Sequence, residues 1–252
     1  MAGHGDKPIS PQAAAEEALA FFKANADEER AAKFQRYFKE PVNYFGIEWA
    51  PFKAWKAEFI GRLKAQWGIE EAVEFCEIML EDPHMEPRGS GYQVVGAFVD
   101  EAEPDLLDRI HGWLEEYCGN WGLVDNLAPS VLSPLLRKYP ALVADVKGWT
   151  SSPNQWVRRG SAVGFVELVG EGSFRKAAYE VATALLDDKE DLSHKAVGWL
   201  LREAGKVDRD ELEAYLLDQG PRLPRTTLRY AIEKFPKEDR KRLMEATKKK
   251  KE

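Results

Sequence analysis

Cysteine is nearly absent: the chain of 252 residues has two, Cys76 and Cys118. Both sit inside apolar helical patterns far apart in sequence, so they read as buried thiols rather than as a disulfide or a metal pair. Long uncharged apolar runs are also missing, and the mean hydropathy is −0.48, which argues against a membrane span of about 20 such residues. The opening residues, MAGHGDKPIS, lack the basic start and apolar stretch of a secretory signal, so the expected location is cytoplasmic. There is no phosphate-cradling Gly-rich loop, no His-Glu-x-x-His and no paired CxxC, and the four histidines, His4, His84, His111 and His194, are scattered. Metal, nucleoside triphosphate and Ser-His-Asp chemistry are therefore not expected, and neither is a cofactor.

Net basic charge is lacking as well, since 43 acidic side chains outnumber 36 basic ones for a formal −7. The mean hides a segregated distribution. Residues 221–252 carry 12 basic and 5 acidic groups, or +7, which leaves −14 on the rest. An acidic body does not exclude a nucleic-acid partner, because binding depends on the local field at one face.

What is present is helical periodicity almost throughout, with no alternating pattern of a half-buried strand. The spacing predicts helices at about 11–26, 27–39, 51–66 (opened by Pro51), 69–81, 91–102, 104–117, 127–138, 140–148, 153–169, 173–186, 191–205, 208–218, 223–234 and 236–249. Ala162-Val163-Gly164-Phe165 recurs 34 residues on as Ala196-Val197-Gly198-Trp199, and Val94-Val95-Gly96 lies two such offsets upstream. That period fits helix pairs of a HEAT-like solenoid, in which the mid-helix glycine marks close approach of another helix. The expected architecture is all-α, a right-handed α-solenoid of about six helix pairs. It comprises one domain over 11–247, between a disordered tail at 1–10 and a basic tail at 248–252. The concave face of such a fold binds something extended, and fold alone does not say what.

Eight tryptophans stand out, several of them near polar groups at helix boundaries. Asn120-Trp121-Gly122-Leu123-Val124-Asp125 opens a helix and places Trp121 and Asp125 four apart, on one face of it. Ser152-Pro153-Asn154-Gln155-Trp156-Val157-Arg158-Arg159 opens another helix, and Lys195-Ala196-Val197-Gly198-Trp199-Leu200-Leu201-Arg202-Glu203 forms a third element. Upstream, Gln35-Arg36-Tyr37-Phe38 and Asn43-Tyr44-Phe45-Gly46-Ile47 join an aromatic helix to an extended loop.

In this order, together with Leu223-Pro224-Arg225-Thr226-Thr227-Leu228-Arg229-Tyr230, these elements resemble the AlkD-type DNA alkylation repair family, glycosylases built from HEAT-like repeats. The resemblance spans roughly residues 30–235. It implies that Trp121, Asp125 and Trp199 occupy a catalytic cleft, that Arg159 binds phosphate with Arg158 as its neighbour, and that Tyr37 and Arg202 join the DNA contacts. Gly122 departs from the family pattern, in which many members have an acidic residue. The implied activity is monofunctional hydrolysis of the N-glycosidic bond of cationic alkylpurines, of 3-methyladenine and 7-methylguanine type, without base flipping. Its partner is duplex DNA containing alkylated bases, bound by a monomer with no metal and no membrane.

Each residue also has a plainer reading. Trp199 lies on an apolar stripe that suits a core, Asp125 suits a cap for a helix starting near Leu127, Arg158 and Arg159 suit a solvated face, and Tyr37 suits packing. Trp49, Trp55, Trp67, Trp113 and Trp149 read as packing. A non-catalytic binder of damaged or branched DNA and a protein-interaction scaffold are the rival functions. The cleft reading carries a geometric expectation, a locally positive face around Arg159.

Overall fold

The computed structural model describes residues 8–248, so most of both expected tails, 1–10 and 248–252, lies outside it. Residues 8–10 are tied down: the Ile9 N–H donates to the Gln66 side chain, the Trp67 indole donates to the Ile9 carbonyl, and the Ser10 hydroxyl accepts the Ala13 N–H. The described residues are helical with no strand, only an isolated bridge between Asn43 and His84. No described helix is long and apolar enough to cross a membrane. The chain divides into two compact units, Met1–Glu103 and Pro104–Glu252. The charge follows that division: 11 basic against 19 acidic residues in the first unit and 25 against 24 in the second.

The first unit contains α1 (Pro11–Ala24), α2 (Glu28–Gln35), α3 (Trp49–Lys64), α4 (Ile69–Leu80) and α5 (Met85–Ala97). α3 starts two residues before Pro51, which still falls in the first turn, where a missing N–H costs nothing. Its core is aromatic: Phe22, Phe52, Phe59 and Phe75 are buried, and Trp55 stacks 4.2 Å from Phe21. Gly91 lets α5 approach α4, since a Cβ there would meet Cys76 atoms at 3.1–3.3 Å. The Phe45-Gly46 loop is clamped by one carboxylate. Glu86 accepts both backbone N–H groups, at 3.1 and 2.8 Å, while Gly46, at φ +78°, sits so close to Asp27 that a side chain there would collide with its carbonyl. Trp67 and Trp55 pack as expected. Trp49 does not: it is 64% exposed, because it opens α3 at the surface rather than lying inside the helix.

The second unit contains α6 (Leu106–Glu116), α7 (Trp121–Leu127), α8 (Ser133–Lys138), α9 (Val143–Gly148), α10 (Gln155–Val163), α11 (Val166–Gly170), α12 (Arg175–Ala184), α13 (Asp191–Val207), α14 (Arg209–Gln219), α15 (Arg225–Ala231) and α16 (Lys237–Ala246). α7, α10, α13 and α15 begin at 121, 155, 191 and 225, intervals of 36 at most and 34 at least. Side-chain bonds respect the same interval. Arg137 to Glu171, Arg159 to Asp125, Arg175 to Asp208, Thr226 to Asp191 and Thr227 to the His194 carbonyl all join residues 33 to 35 apart. Such nearest-neighbour stitching is what stacked helix pairs produce, and it is consistent with an α-solenoid. Gly198 performs the role expected of a mid-helix glycine: a Cβ there would lie 2.4 Å from the Tyr230 Cβ and 2.8 Å from the Thr227 carbonyl, so α13 and α15 pack backbone to backbone.

The helix expected at 127–138 begins six residues earlier. Asn120 caps it by accepting the Leu123 N–H at 3.1 Å, and it then runs through a π-helical turn, Ala128–Leu132, into α8. Pro129, which has no N–H for the usual ladder, sits in that wider turn instead of breaking the helix. Asp125 is thus the fifth residue of α7 and not a cap. The predicted 153–169 helix is divided at Gly164 and Phe165 into α10 and α11. Cys76 and Cys118 are both buried thiols.

Candidate active site

Asp125 and Arg159 hold equivalent places, the fifth residues of α7 and α10, one repeat apart. The guanidinium meets the carboxylate in a bidentate fork: Nε donates to Oδ1 at 3.0 Å, and Nη2 donates to Oδ1 at 2.8 Å and to Oδ2 at 2.9 Å. Nη1 donates to the carbonyl of Leu192, in the first turn of α13. One side chain therefore ties together the starts of three helices. The Arg159 side chain is 6% exposed and that of Asp125 is 18%, so the pair is largely desolvated.

Burial and pairing oppose each other at Asp125. Burial, the larger effect, pushes its carboxyl above the usual range, while the charge and hydrogen bonds of Arg159 pull it down. A carboxylate in this position has shed most of its water, and the guanidinium compensates its charge and fixes its orientation.

Trp121, the first residue of α7, is half-buried one turn before Asp125. Trp199 is half-buried on α13, seven residues and so about two turns beyond Leu192 on the same side of the helix. The expected core reading of Trp199 is met only in part, because its neighbours Val197, Leu200 and Leu201 are the fully buried ones.

The arginines differ from the expected positive face. Arg159, placed at a phosphate by the family resemblance, is 5% exposed and directs its fork at Asp125. Arg158 forms its own fork with Asp188 at 2.7 and 3.2 Å and donates from Nη1 to the Ser152 and Pro153 carbonyls. The Asp188 side chain there is 4% exposed, which makes this an interior tie between two loops rather than a solvated face. Arg202 pairs with Glu203 and with the more exposed Glu233. Charge around Arg159 is accordingly balanced rather than positive, since each of the three arginines meets a carboxylate. Tyr37 belongs to the first unit, where it is 68% exposed just beyond the end of α2.

Sequence reasoning placed Asn120 at the opening of a helix, where it caps α7, and missed two participants. The Arg159–Asp125 partnership had a signal too, opposite charges one repeat apart at like positions. The Leu192 carbonyl had none, because a backbone group leaves no mark on residue type.

Comparison with known proteins bears on the fold and the family. A search of curated proteins gives no match. A solved structure described as a predicted DNA alkylation repair enzyme from Enterococcus faecalis superposes with a TM-score of 0.74 at 17% identity, covering 84% of this chain and 98% of that one. The likeness establishes a shared helical fold. The family model described as DNA alkylation repair enzyme matches residues 18–235, a span that includes Asp125, Arg159 and both tryptophans, and the chain therefore belongs to that family.

Proposed function

We propose that the protein is a monofunctional glycosylase that hydrolyses the N-glycosidic bond of cationic alkylpurines in duplex DNA. The observation that carries this reading is the buried Asp125 carboxylate, held by the Arg159 fork one turn from the Trp121 indole. A purine made cationic by alkylation is already a good leaving group, since the electrons of the breaking bond neutralise it. The deoxyribose becomes oxocarbenium-like, and the fixed negative charge of Asp125 stabilises that cation. Water then adds at the sugar carbon, and its proton is lost to Asp125 or to solvent. The products are the neutral base and an abasic site.

The faces of Trp121 and Trp199 attract positive charge through their ring quadrupoles, which suits a cationic base and an electron-poor sugar. Arg159 acts here by orienting Asp125 and keeping it ionised. Among the proposed backbone contacts, Arg202 is the one most readily redirected to phosphate, because its Glu233 partner is 46% exposed and a surface pair of that kind is weak and screened by salt. Arg158 exchanges Asp188 for phosphate at greater cost. The direct test is incubation of the protein with methylated duplex DNA: free 7-methylguanine and 3-methyladenine, with strand breaks only after alkali, support the reading, and intact DNA refutes it.

A further inference from the structure

The first unit is acidic overall, yet its basic residues are segregated. From Lys33 to Lys64 there are seven lysines and arginines and three acidic residues. The same stretch holds the large aromatic side chains that are exposed among the described residues of that unit: Phe34 at 38%, Tyr37 at 68% and Trp49 at 64%. One exposed aromatic residue needs no explanation. Three of them confined to the one basic segment of an acidic unit do.

These rings are held in place. The Gln35 amide closes the turn after α2, with Nε2 donating to the Phe38 and Glu40 carbonyls and Oε1 accepting the Val42 N–H. Phe34 stacks on Tyr44 with centroids 5.1 Å apart at 21°. On α3, the Lys56 ammonium lies 5.7 Å from the Trp49 ring centroid, and Lys53, one turn after Trp49, is exposed and has no ion pair among the described residues. The Lys56 ammonium also donates to the Gln93 side-chain oxygen, and burial, then the charge of Lys53, push it below its usual range.

Two like charges beside a fixed indole call for an anion, and a ring left in water calls for a planar surface. A nucleic-acid strand supplies both: phosphates for the lysines and base faces for the rings. In a duplex the base faces are already stacked, so exposed aromatic rings gain little there. We infer that Phe34, Trp49, Lys53 and Lys56 form a second nucleic-acid site, one that grips a DNA strand whose bases are unpaired. This rests on the reading of DNA as the partner and extends it, giving the protein a preference for lesions in frayed or looped regions.

The experiment is fluorescence anisotropy of the full chain with labelled oligothymidylate and with a matched perfect duplex, in low salt. Trp49→Ala is expected to weaken oligothymidylate binding about tenfold or more while duplex binding changes by less than about threefold. Phe34→Ala, on a different helix, repeats the test with the same expected selectivity; Trp49→Ala, at the more exposed ring, is expected to change the melting temperature little, whereas Phe34→Ala loses the stack on Tyr44 and melts lower while staying folded at the assay temperature. Lys53→Gln weakens both DNAs and lowers the salt slope by about one ion. No measurable oligothymidylate binding, no loss in Trp49→Ala and Phe34→Ala, or an equal loss on the duplex overturns the inference. Base release is not read in this assay, so failure of the glycosylase reading leaves the result standing.

Discussion

Removal of Arg159 separates the effects that hold Asp125. In Arg159→Met the aliphatic bulk is roughly kept while the fork, its charge and the Nη1 bond to Leu192 are lost. Breaking a buried ion pair by deleting one partner costs about 3–5 kcal/mol, and the 18% exposure of the Asp125 side chain places this case near the lower end. The loss has a pH dependence of definite sign. Burial already raises the folded-state pKa of Asp125 above its unfolded value, and without Arg159 it rises further. A carboxyl with a raised folded pKa stabilises the fold while protonated and loses that contribution as pH climbs from the unfolded value through the folded one. The deficit of Arg159→Met is therefore largest at neutral pH and shrinks on acidification, as the stranded carboxylate takes up a proton. Urea denaturation at several pH values measures it, and the acid limb of the base-release rate, which needs ionised Asp125, moves to higher pH in the same variant. A deficit independent of pH, with an unshifted rate profile, refutes the claim that Arg159 governs Asp125 ionisation.

Gly198→Ala gains about 1 kcal/mol of helix propensity but forces a methyl against the Thr227 carbonyl and the Tyr230 Cβ, an overpacking cost of about 1–3 kcal/mol. Thermal melting is expected to show a net loss of a few degrees, whereas Gly112→Ala, on α6 with nothing within 4 Å of the added carbon, is expected to melt at or above the parent temperature. Asn120→Ala removes the cap of α7 and is expected to cost about 1 kcal/mol in urea denaturation. Because α7 carries Trp121 and Asp125, the same variant is expected to lower the rate of base release.

Helical class and the repeat interval were legible because burial on one face imposes a 3.6-residue stripe that survives in the residue order. The continuity of the helix from α7 through Pro129 was not, because a residue without an N–H reads as a break, and here a π turn, Ala128–Leu132, accommodates it. Trp49 shows the opposite failure. Residue type favours burial, but its place at the first position of α3 leaves the ring outside the aromatic core that Phe52 and Phe59 enter. At the site, identity pointed to Asp125, Trp121 and Trp199, while the destination of the Arg159 fork depended on which helix lay opposite. A guanidinium suits phosphate and carboxylate equally, so only the stacking of α7 against α10 selects Asp125.

Base release by Asp125→Asn tests the central claim most directly, because the substitution keeps shape and removes the negative charge. With methylated duplex DNA in excess protein, the single-turnover rate of 7-methylguanine release is expected to fall at least about 100-fold, the size of effect found when one fixed electrostatic partner of a transition state is lost. Circular dichroism confirms that the variant is folded, and duplex affinity is expected to remain within a few-fold of the parent. A folded Asp125→Asn protein that releases the base as fast as the unaltered chain contradicts the account.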